Sequence, residues 1–249
     1  LYVDGSKKIL EHGILVMEYL PGHAMDYHTE LMLAAPCLAD IHSVPIPESE
    51  EILIHPQNPL KAILEECEEM FKVYLESPLG DGEKKTYIRE LLDLGWKREA
   101  EIQLESGYQC CINTELNSTN LLINGEGKSN YLIDWEKPLF GNPAQDLGHF
   151  LAPTTTFWKT DVILTSEEIE KFIDAYIKAV GNRFKTDMIR EHTHAFIPIT
   201  CLRGITWCAM AWVQYQQPDK LIFNESTFKK LNAYLDMDFL KNIRGYLEP

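Results

Sequence analysis

A mainly helical α+β fold, in which a helical lobe carries a small β-hairpin, follows from three observations. Apolar stripes at helical spacing occupy most of the chain on either side of residues 108–136. Between them, short apolar runs flank the turn Asn124-Gly125-Glu126-Gly127 and read as a hairpin. The stretch Ile197 to Gln214, with Trp207 and Trp212, is apolar on nearly every side and predicts a buried central helix.

Taken in order, residues 1–13 read as a strand end and a turn around Asp4-Gly5-Ser6. Ile14 to Leu20 is a β-rich run closed by Pro21-Gly22, predicted to be a buried strand feeding a linker. From about Tyr27 to Ser43, Leu31, Ala34, Ala35, Leu38, Ile41 and His42 recur at helical spacing, and Pro36 predicts a kink or two short helices. Val44 to Pro56 is Pro-rich and loop-like. Asn58-Pro59 supplies an N-cap and an N1 proline for a helix with Leu60, Ile63, Leu64, Cys67, Phe71 and Tyr74 on one face. After a turn at Ser77–Glu83, a helix is predicted from about Lys84 to Glu105, packed through Tyr87, Leu91, Leu92 and Leu94, with Gly95 its weak point. Gly141 to Gly148 is a turn entering a helix. Thr165-Ser166-Glu167-Glu168 is a capping box opening a helix with the stripe Ile169, Phe172, Ile173, Tyr176 and Val180, stopped by Gly181. Ser226 to Ile243 is one or two further helices. No internal repeat or low-complexity segment is visible.

The 249 residues suffice for a sizeable core, as one large domain or two small ones. Apolar content of 45% with 24% charged residues is ordinary for a soluble globular protein. No uninterrupted apolar run approaches the roughly 20 residues of a membrane span, and no secretory leader is seen, so no membrane partner is expected. A net charge of −15 argues against a phosphate backbone, so no nucleic-acid partner is expected, and the expected partner is a small-molecule substrate. The acidity leans weakly toward cationic substrates. The six cysteines include no C-x-x-C pair and read as buried small hydrophobes in a reducing, cytoplasmic setting. The two N-x-[ST] sequons, at Asn117 and Asn224, are read as chance. No feature of the sequence sets an oligomeric state.

The chemistry concentrates in Ile112 to Ile123 and Tyr131 to Glu136. Glu115 and Asn120 share one short polar loop, and Asp134 ends the strand after the hairpin, so pairing across the hairpin brings Asp134 back beside Asn120. One amide oxygen and one carboxylate suit a hard cation that keeps its waters, Mg²⁺. A second carboxylate nearby can take a proton from a hydroxyl, as phosphoryl transfer requires. Bland readings stand beside this one, since Glu115 fits a polar turn and Asp134 a turn cap. Elsewhere, His192-x-His194 reads as an exposed helix end rather than a metal site. Trp158, Asp161 and Trp207 could shape a cationic-substrate pocket, with core packing favoured for Trp207. Lys159 and Arg203 are candidate phosphate or substrate contacts.

Protein kinases use the loop H-R-D-L-x-x-x-N followed by a metal-binding Asp. Asn113-Thr114-Glu115-Leu116-Asn117-Ser118-Thr119-Asn120 has that spacing and resembles the aminoglycoside phosphotransferase and choline kinase-like family, whose loop usually reads H-G-D-L-x-x-x-N. Ile133-Asp134-Trp135-Glu136 and Gly141-Asn142-Pro143-Ala144-Gln145-Asp146-Leu147 look like its I-D-W-E and G-D-P-A-x-D-L blocks. Leu15 to Gly22 looks like its hinge strand, and Leu38-Ala39-Asp40-Ile41-His42 like its L-A-x-L-H helix. These blocks lie in the right order between residues 15 and 148. The resemblance implies a protein kinase-like fold and an ATP-dependent phosphotransferase acting on a hydroxyl of an amino-sugar, amino-alcohol or related metabolite. In that frame Glu115 is the base, Asn120 and Asp134 hold Mg²⁺ against ATP, and Met17, Glu18 and Leu20 contact the adenine. Asn113 and Asp146 support the catalytic loop, His42 packs, and Trp158 and Asp161 are candidate substrate contacts. Residues 1–22 would be the last strands of an N-terminal lobe with the hinge. Residues 23–249 would be the helical C-terminal lobe, with the catalytic loop at 108–136 and acceptor-binding helices at 157–249.

Two departures from the family pattern shape the expectation. The usual His-Gly-Asp is Asn113-Thr114-Glu115, one methylene longer at the base, and a misplacement of about 1 Å can cost roughly 100-fold. In a loose transition state the base mainly orients the hydroxyl, so a displaced carboxylate can still serve. No Gly-rich loop or β3-type Lys precedes the hinge, so the expectation is a fragment, inactive alone and poor at binding ATP. The alternatives are a kinase-like nucleotide-binding protein without turnover and a helical interaction module with a vestigial resemblance.

Overall fold

The computed structural model describes residues 1–46, 53–102, 104, 107–217 and 223–248. The middle of the predicted loop Val44–Pro56 and the predicted helix end at Glu105 lie outside the described residues. Strands β1 (Tyr2–Asp4), β2 (Ile14–Val16) and β3 (His23–Ala24) come first. Helices α1 (Leu31–His42), α2 (Pro59–Glu76) and α3 (Gly82–Glu101) follow. Next come β4 (Cys110–Ile112), a 3-10 turn at Ser118–Asn120, β5 (Leu121–Ile123), β6 (Tyr131–Leu132) and β7 (Leu139–Gly141). The remainder is helical: α4 (Pro143–Leu151), α5 (Pro153–Thr160), α6 (Ser166–Val180), α7 (Ile189–Tyr215), α8 (Glu225–Tyr234) and α9 (Met237–Leu247). The fold is α+β and mainly helical.

Local chemistry sets most helix starts. Asn58 Oδ1 accepts from the Lys61 N–H at 3.0 Å, with Pro59 at the first helical position. Asn142 does the same for α4, accepting from the Ala144 N–H at 2.9 Å ahead of Pro143. At α6 both halves of the capping box form: the Glu168 N–H donates to Thr165 Oγ1 at 3.2 Å, and the Thr165 N–H to the Glu168 carboxylate at 2.8 Å. The predicted α6 stripe is buried in full and faces α1.

Helix α7 is the hub, packing on α2, α4, α3, α5, α8 and α9. By length and composition it could cross a membrane, which the reading of uninterrupted apolar runs missed, because Arg203 breaks the run without much lowering the average. Yet 72% of its most apolar stretch is buried inside the fold, as in a core helix. Gly95 of α3 is more than a weak point. A Cβ there would lie 2.3 Å from Leu202 Cδ1 and 3.1 Å from Leu64 Cδ2, so its bare face is what lets α2, α3 and α7 close together.

Three expectations change. Helix α1 is continuous through Pro36 rather than two short helices; the carbonyl that Pro36 leaves without a donor belongs to Met32, on the exposed face where water can serve it. The strand expected over Ile14–Leu20 spans only Ile14–Val16, and Leu15, Val16, Met17 and Tyr19 are exposed. It pairs with β1 alone, and no apolar layer covers it among the described residues. His192 is buried rather than at an exposed end, accepting at Nδ1 from Asn142 Nδ2 at 3.1 Å, while His194 stays at the surface beside Glu170.

The small sheets position the site. β5 pairs with β6 (Leu121 opposite Leu132, Leu122 opposite Tyr131) around a turn whose Gly125 and Gly127 have φ of 114° and 69°. β3 adds to the other edge of β5, and β4 pairs with β7.

Candidate active site

The polar loop between β4 and β5 is held from below by one carboxylate. Asp146, fully buried on α4, accepts from the Asn113 N–H at 2.8 Å through Oδ2 and from the Thr114 N–H at 2.7 Å through Oδ1. His42 Nε2 lies 3.2 Å from the same Oδ2. The carboxylate can only accept, so Nε2 donates, and Nδ1 accepts from the Tyr176 hydroxyl at 2.8 Å. His42 is therefore a hydrogen-bonded post under the loop, more than a packing residue.

The loop is knotted within itself. Asn113 Nδ2 donates to the Asp134 carbonyl at 2.9 Å, tying the loop to the strand end after the hairpin. Asn113 Oδ1 accepts from the Glu115 N–H at 3.1 Å. The Glu115 carbonyl accepts from Asn117 Nδ2 at 3.1 Å and Asn120 Nδ2 at 3.2 Å. The Ile133 N–H donates to the Asn120 carbonyl at 2.9 Å, so Asp134 returns beside Asn120 as the hairpin predicts. Thr114 and Asp134 have φ of 69° and 66°. Asp tolerates that region, whereas β-branched Thr is strained there and is kept in place by the Asp146 bond and by its own Oγ1–H donating to the Lys137 carbonyl at 3.1 Å.

Glu115 projects from this loop, half-buried, with Arg203 Nη2 and Lys137 Nζ each 3.8 Å from Oε1. Arg203, on α7, is itself fixed to Glu66 of α2 through Nε at 2.8 Å and Nη2 at 3.3 Å. Burial works against the Arg203 charge, but the Glu66 bonds and the Glu115 field more than offset it and hold the guanidinium above its ordinary value. A cavity of about 250 Å³ opens beside Glu115, with Trp158, Trp207, Tyr234, Thr155 and Arg203 among its walls. A second, of about 210 Å³, lies against Thr114, Lys137 and Glu66, and Arg203, His149 and Thr200 stand between the two. Burial first, and Arg203 second, push the His149 pKa down to about 3, so this wall is a neutral imidazole.

Of the residues picked from sequence, Asn113, Glu115, Asn120, Asp134 and Asp146 are brought together. Trp158 lines the Glu115 cavity. Asp161 does not line it: it caps α5 at φ 61° and pairs with Lys230. Trp207 is 42% exposed and meets Trp158 edge-to-face at 5.3 Å, a cavity wall rather than core. Met17 and Glu18 are exposed and Leu20 is half-buried, just before Pro21, whose carbonyl accepts from Asn124 Nδ2 at 3.0 Å and ties this segment to the hairpin turn. Sequence reasoning missed His149 and Tyr234. Only the spacing of His149, one helical turn after Asp146, offered a signal. Among the described residues no cluster of three or more His, Cys, Asp or Glu is gathered for a metal. A cation here would rest on Asn120 and Asp134 with waters or phosphate oxygens completing its shell, which suits Mg²⁺.

The solved structures similar to this chain include a Plasmodium vivax ethanolamine kinase, at 17% identity and a TM-score of 0.59 over 92% of this chain and 65% of that one. A spectinomycin phosphotransferase, solved with ADP and spectinomycin, matches at 16% identity and a TM-score of 0.59 over 93% of this chain and 69% of that one. A choline kinase from Cryptosporidium parvum Iowa II matches at 14% identity and a TM-score of 0.59 over 92% and 71%. The chain thus spans about two thirds of the length of these proteins. At such identities the likeness establishes a shared kinase-like fold. No curated protein matches the sequence. The family model described as the phosphotransferase enzyme family matches residues 2–191, and with that match over most of its length, the chain belongs to the phosphotransferase enzyme family.

Proposed function

We propose that the protein transfers a phosphoryl group from ATP to a hydroxyl of a small molecule in the amino-sugar, amino-alcohol or related metabolite range. The observation that carries this reading is the loop Asn113–Asn120, clamped by Asp146, which presents Glu115 to a cavity while Asp134 returns beside Asn120. Asn120 and Asp134 would hold Mg²⁺, which when bound offsets phosphate charge. The acceptor hydroxyl gives its proton to Glu115, its oxygen bonds to the terminal phosphorus of ATP, and ADP leaves with the bridging oxygen. Arg203 and Lys137 flank the Glu115 carboxylate and fix where its longer side chain ends. Asp146, Asn113 and His42 hold the loop. Residues 1–22 serve as strands and hinge, with Met17, Glu18 and Leu20 toward the adenine, and residues 23–249 form the catalytic and acceptor lobe. All six cysteines are free thiols, in keeping with a reducing, cytoplasmic setting.

The test is phosphate transfer from ATP by the longest natural form of the protein, against a panel of hydroxylated metabolites, beside Glu115→Gln and Asp134→Asn. Turnover is expected for the natural sequence, with kcat lowered about 100-fold or more in each variant. Turnover unchanged in Glu115→Gln would remove the base from the mechanism. Nucleotide binding without turnover for any acceptor would favour a non-catalytic binding protein.

A further inference from the structure

The Glu115 cavity carries more information about its occupant than the loop does. Its charged lining among the described residues is Glu115 and Arg203, since His149 is neutral. Both charges are already engaged: Arg203 with Glu66 and Glu115, and Glu115 with Arg203 and Lys137. An ammonium group entering here would compete with two cations for Glu115, and no second carboxylate lines the cavity among the described residues, Asp161 being held by Lys230 outside it. An anion would compete with two carboxylates for Arg203. What remains available is uncharged. Trp207 is 42% exposed, and with Trp158 crossing it at 89° the two offer an apolar corner. Thr155 and Thr200 add hydroxyls that both donate and accept. The volume, about 250 Å³, leaves room for one six-membered ring with its hydroxyls.

We propose that this cavity takes an uncharged, hydroxyl-rich acceptor about one sugar ring in size, seated against Trp158 and Trp207, and that the Glu66–Arg203–Glu115 chain selects against acceptors bearing an ammonium group. The proposal rests on the phosphotransferase reading for the word acceptor and departs from its amino-sugar and amino-alcohol range, keeping the uncharged related metabolites alone, but binding can be measured without turnover. Saturation-transfer NMR titrations at pH 6 compare glucose and myo-inositol with 2-amino-2-deoxyglucose, protonated at that pH, and with choline. Saturable binding of at least one uncharged ring is expected, about tenfold or more tighter than either cation. Trp207→Ala, at an exposed position that leaves the fold intact, weakens the uncharged ring about tenfold. Arg203→Gln narrows the gap between glucose and its amino analogue. Should circular dichroism show that this variant is unfolded, Lys137→Gln at the exposed flank of Glu115 is expected to narrow the gap in the same direction. Equal or tighter binding of a cation, or no saturable binding of either uncharged ring, overturns the proposal. Selective ring binding with no phosphate transfer to any acceptor would instead count against the phosphotransferase reading and leave this one standing.

Discussion

Replacing Asp146 by Asn tests whether one buried carboxylate holds the candidate catalytic loop. Its two oxygens accept from the Asn113 and Thr114 N–H groups at 2.8 and 2.7 Å and from His42 at 3.2 Å, with no exposure to water. Asparagine keeps the shape but turns one acceptor into a donor. A backbone N–H is then left facing an NH₂ group in the interior, and the remaining bonds lose their charge assistance. An unsatisfied buried donor costs about 1–3 kcal/mol and a bond to a charged group contributes about 1.5–3, so the loss should be about 2–4 kcal/mol. For a chain of this size that is a fall in Tm of roughly 5–15 °C. The measurement is urea unfolding followed by circular dichroism, with an unchanged m value showing that stability alone has moved. Asp134→Asn is the control: that side chain is exposed, and stability should change by less than about 0.5 kcal/mol. A loss below about 1 kcal/mol in Asp146→Asn would refute the clamp.

Three further outcomes are expected. Gly148→Ala should destabilise by about 2 kcal/mol despite the better helix propensity of Ala, because its Cβ would sit 2.4 Å from Phe196 Cβ and 3.2 Å from the Ile197 backbone N. Gly95→Ala should lose less, since it meets the movable end of Leu202, and the order of the two urea midpoints checks this. His149 titrates at about 3 in the fold against 6.5 when free, so between those values the unfolded chain binds more protons. This group's contribution is therefore intact above pH 6.5 and shrinks as pH falls, by at most about 1.4 kcal/mol per pH unit. The stability of His149→Gln between pH 6.5 and 5 should fall less steeply than that of the natural sequence. Finally, a thiol reagent should label one cysteine ahead of the rest in the native protein, half-buried Cys111, whose own thiol burial also pushes up, and all six after denaturation, because the others are covered and burial pushes Cys67 and Cys201 up to about 12.

What could be read from sequence was what is decided locally. Asn58-Pro59, Asn142-Pro143 and the Thr165–Glu168 box start their helices through bonds spanning two or three residues, so a linear string contains them. The hairpin register and the loop spacing belong to the same class. What failed depends on which face meets what. Pro36 breaks nothing because Met32 points to solvent. Trp207 composes like core yet faces a cavity. Asp161 pairs with a lysine 69 residues away, a contact no local pattern shows. The Glu66–Arg203–Glu115 chain joins α2, the loop and α7 across 137 residues, and no local pattern announces it.

The position of α7 as hub also sets an order of events during synthesis. Its partners α2, α3, α4 and α5 are all made before it, and the faces they turn toward α7 have no cover until residues 189–215 leave the ribosome. The nascent chain therefore passes through a long interval as an open tray of amphipathic helices, the kind of surface chaperones hold. The base, on its loop before α4, and the arginine that steadies it, on α7, meet only when that interval closes, and α8 then adds Tyr234 to the cavity wall.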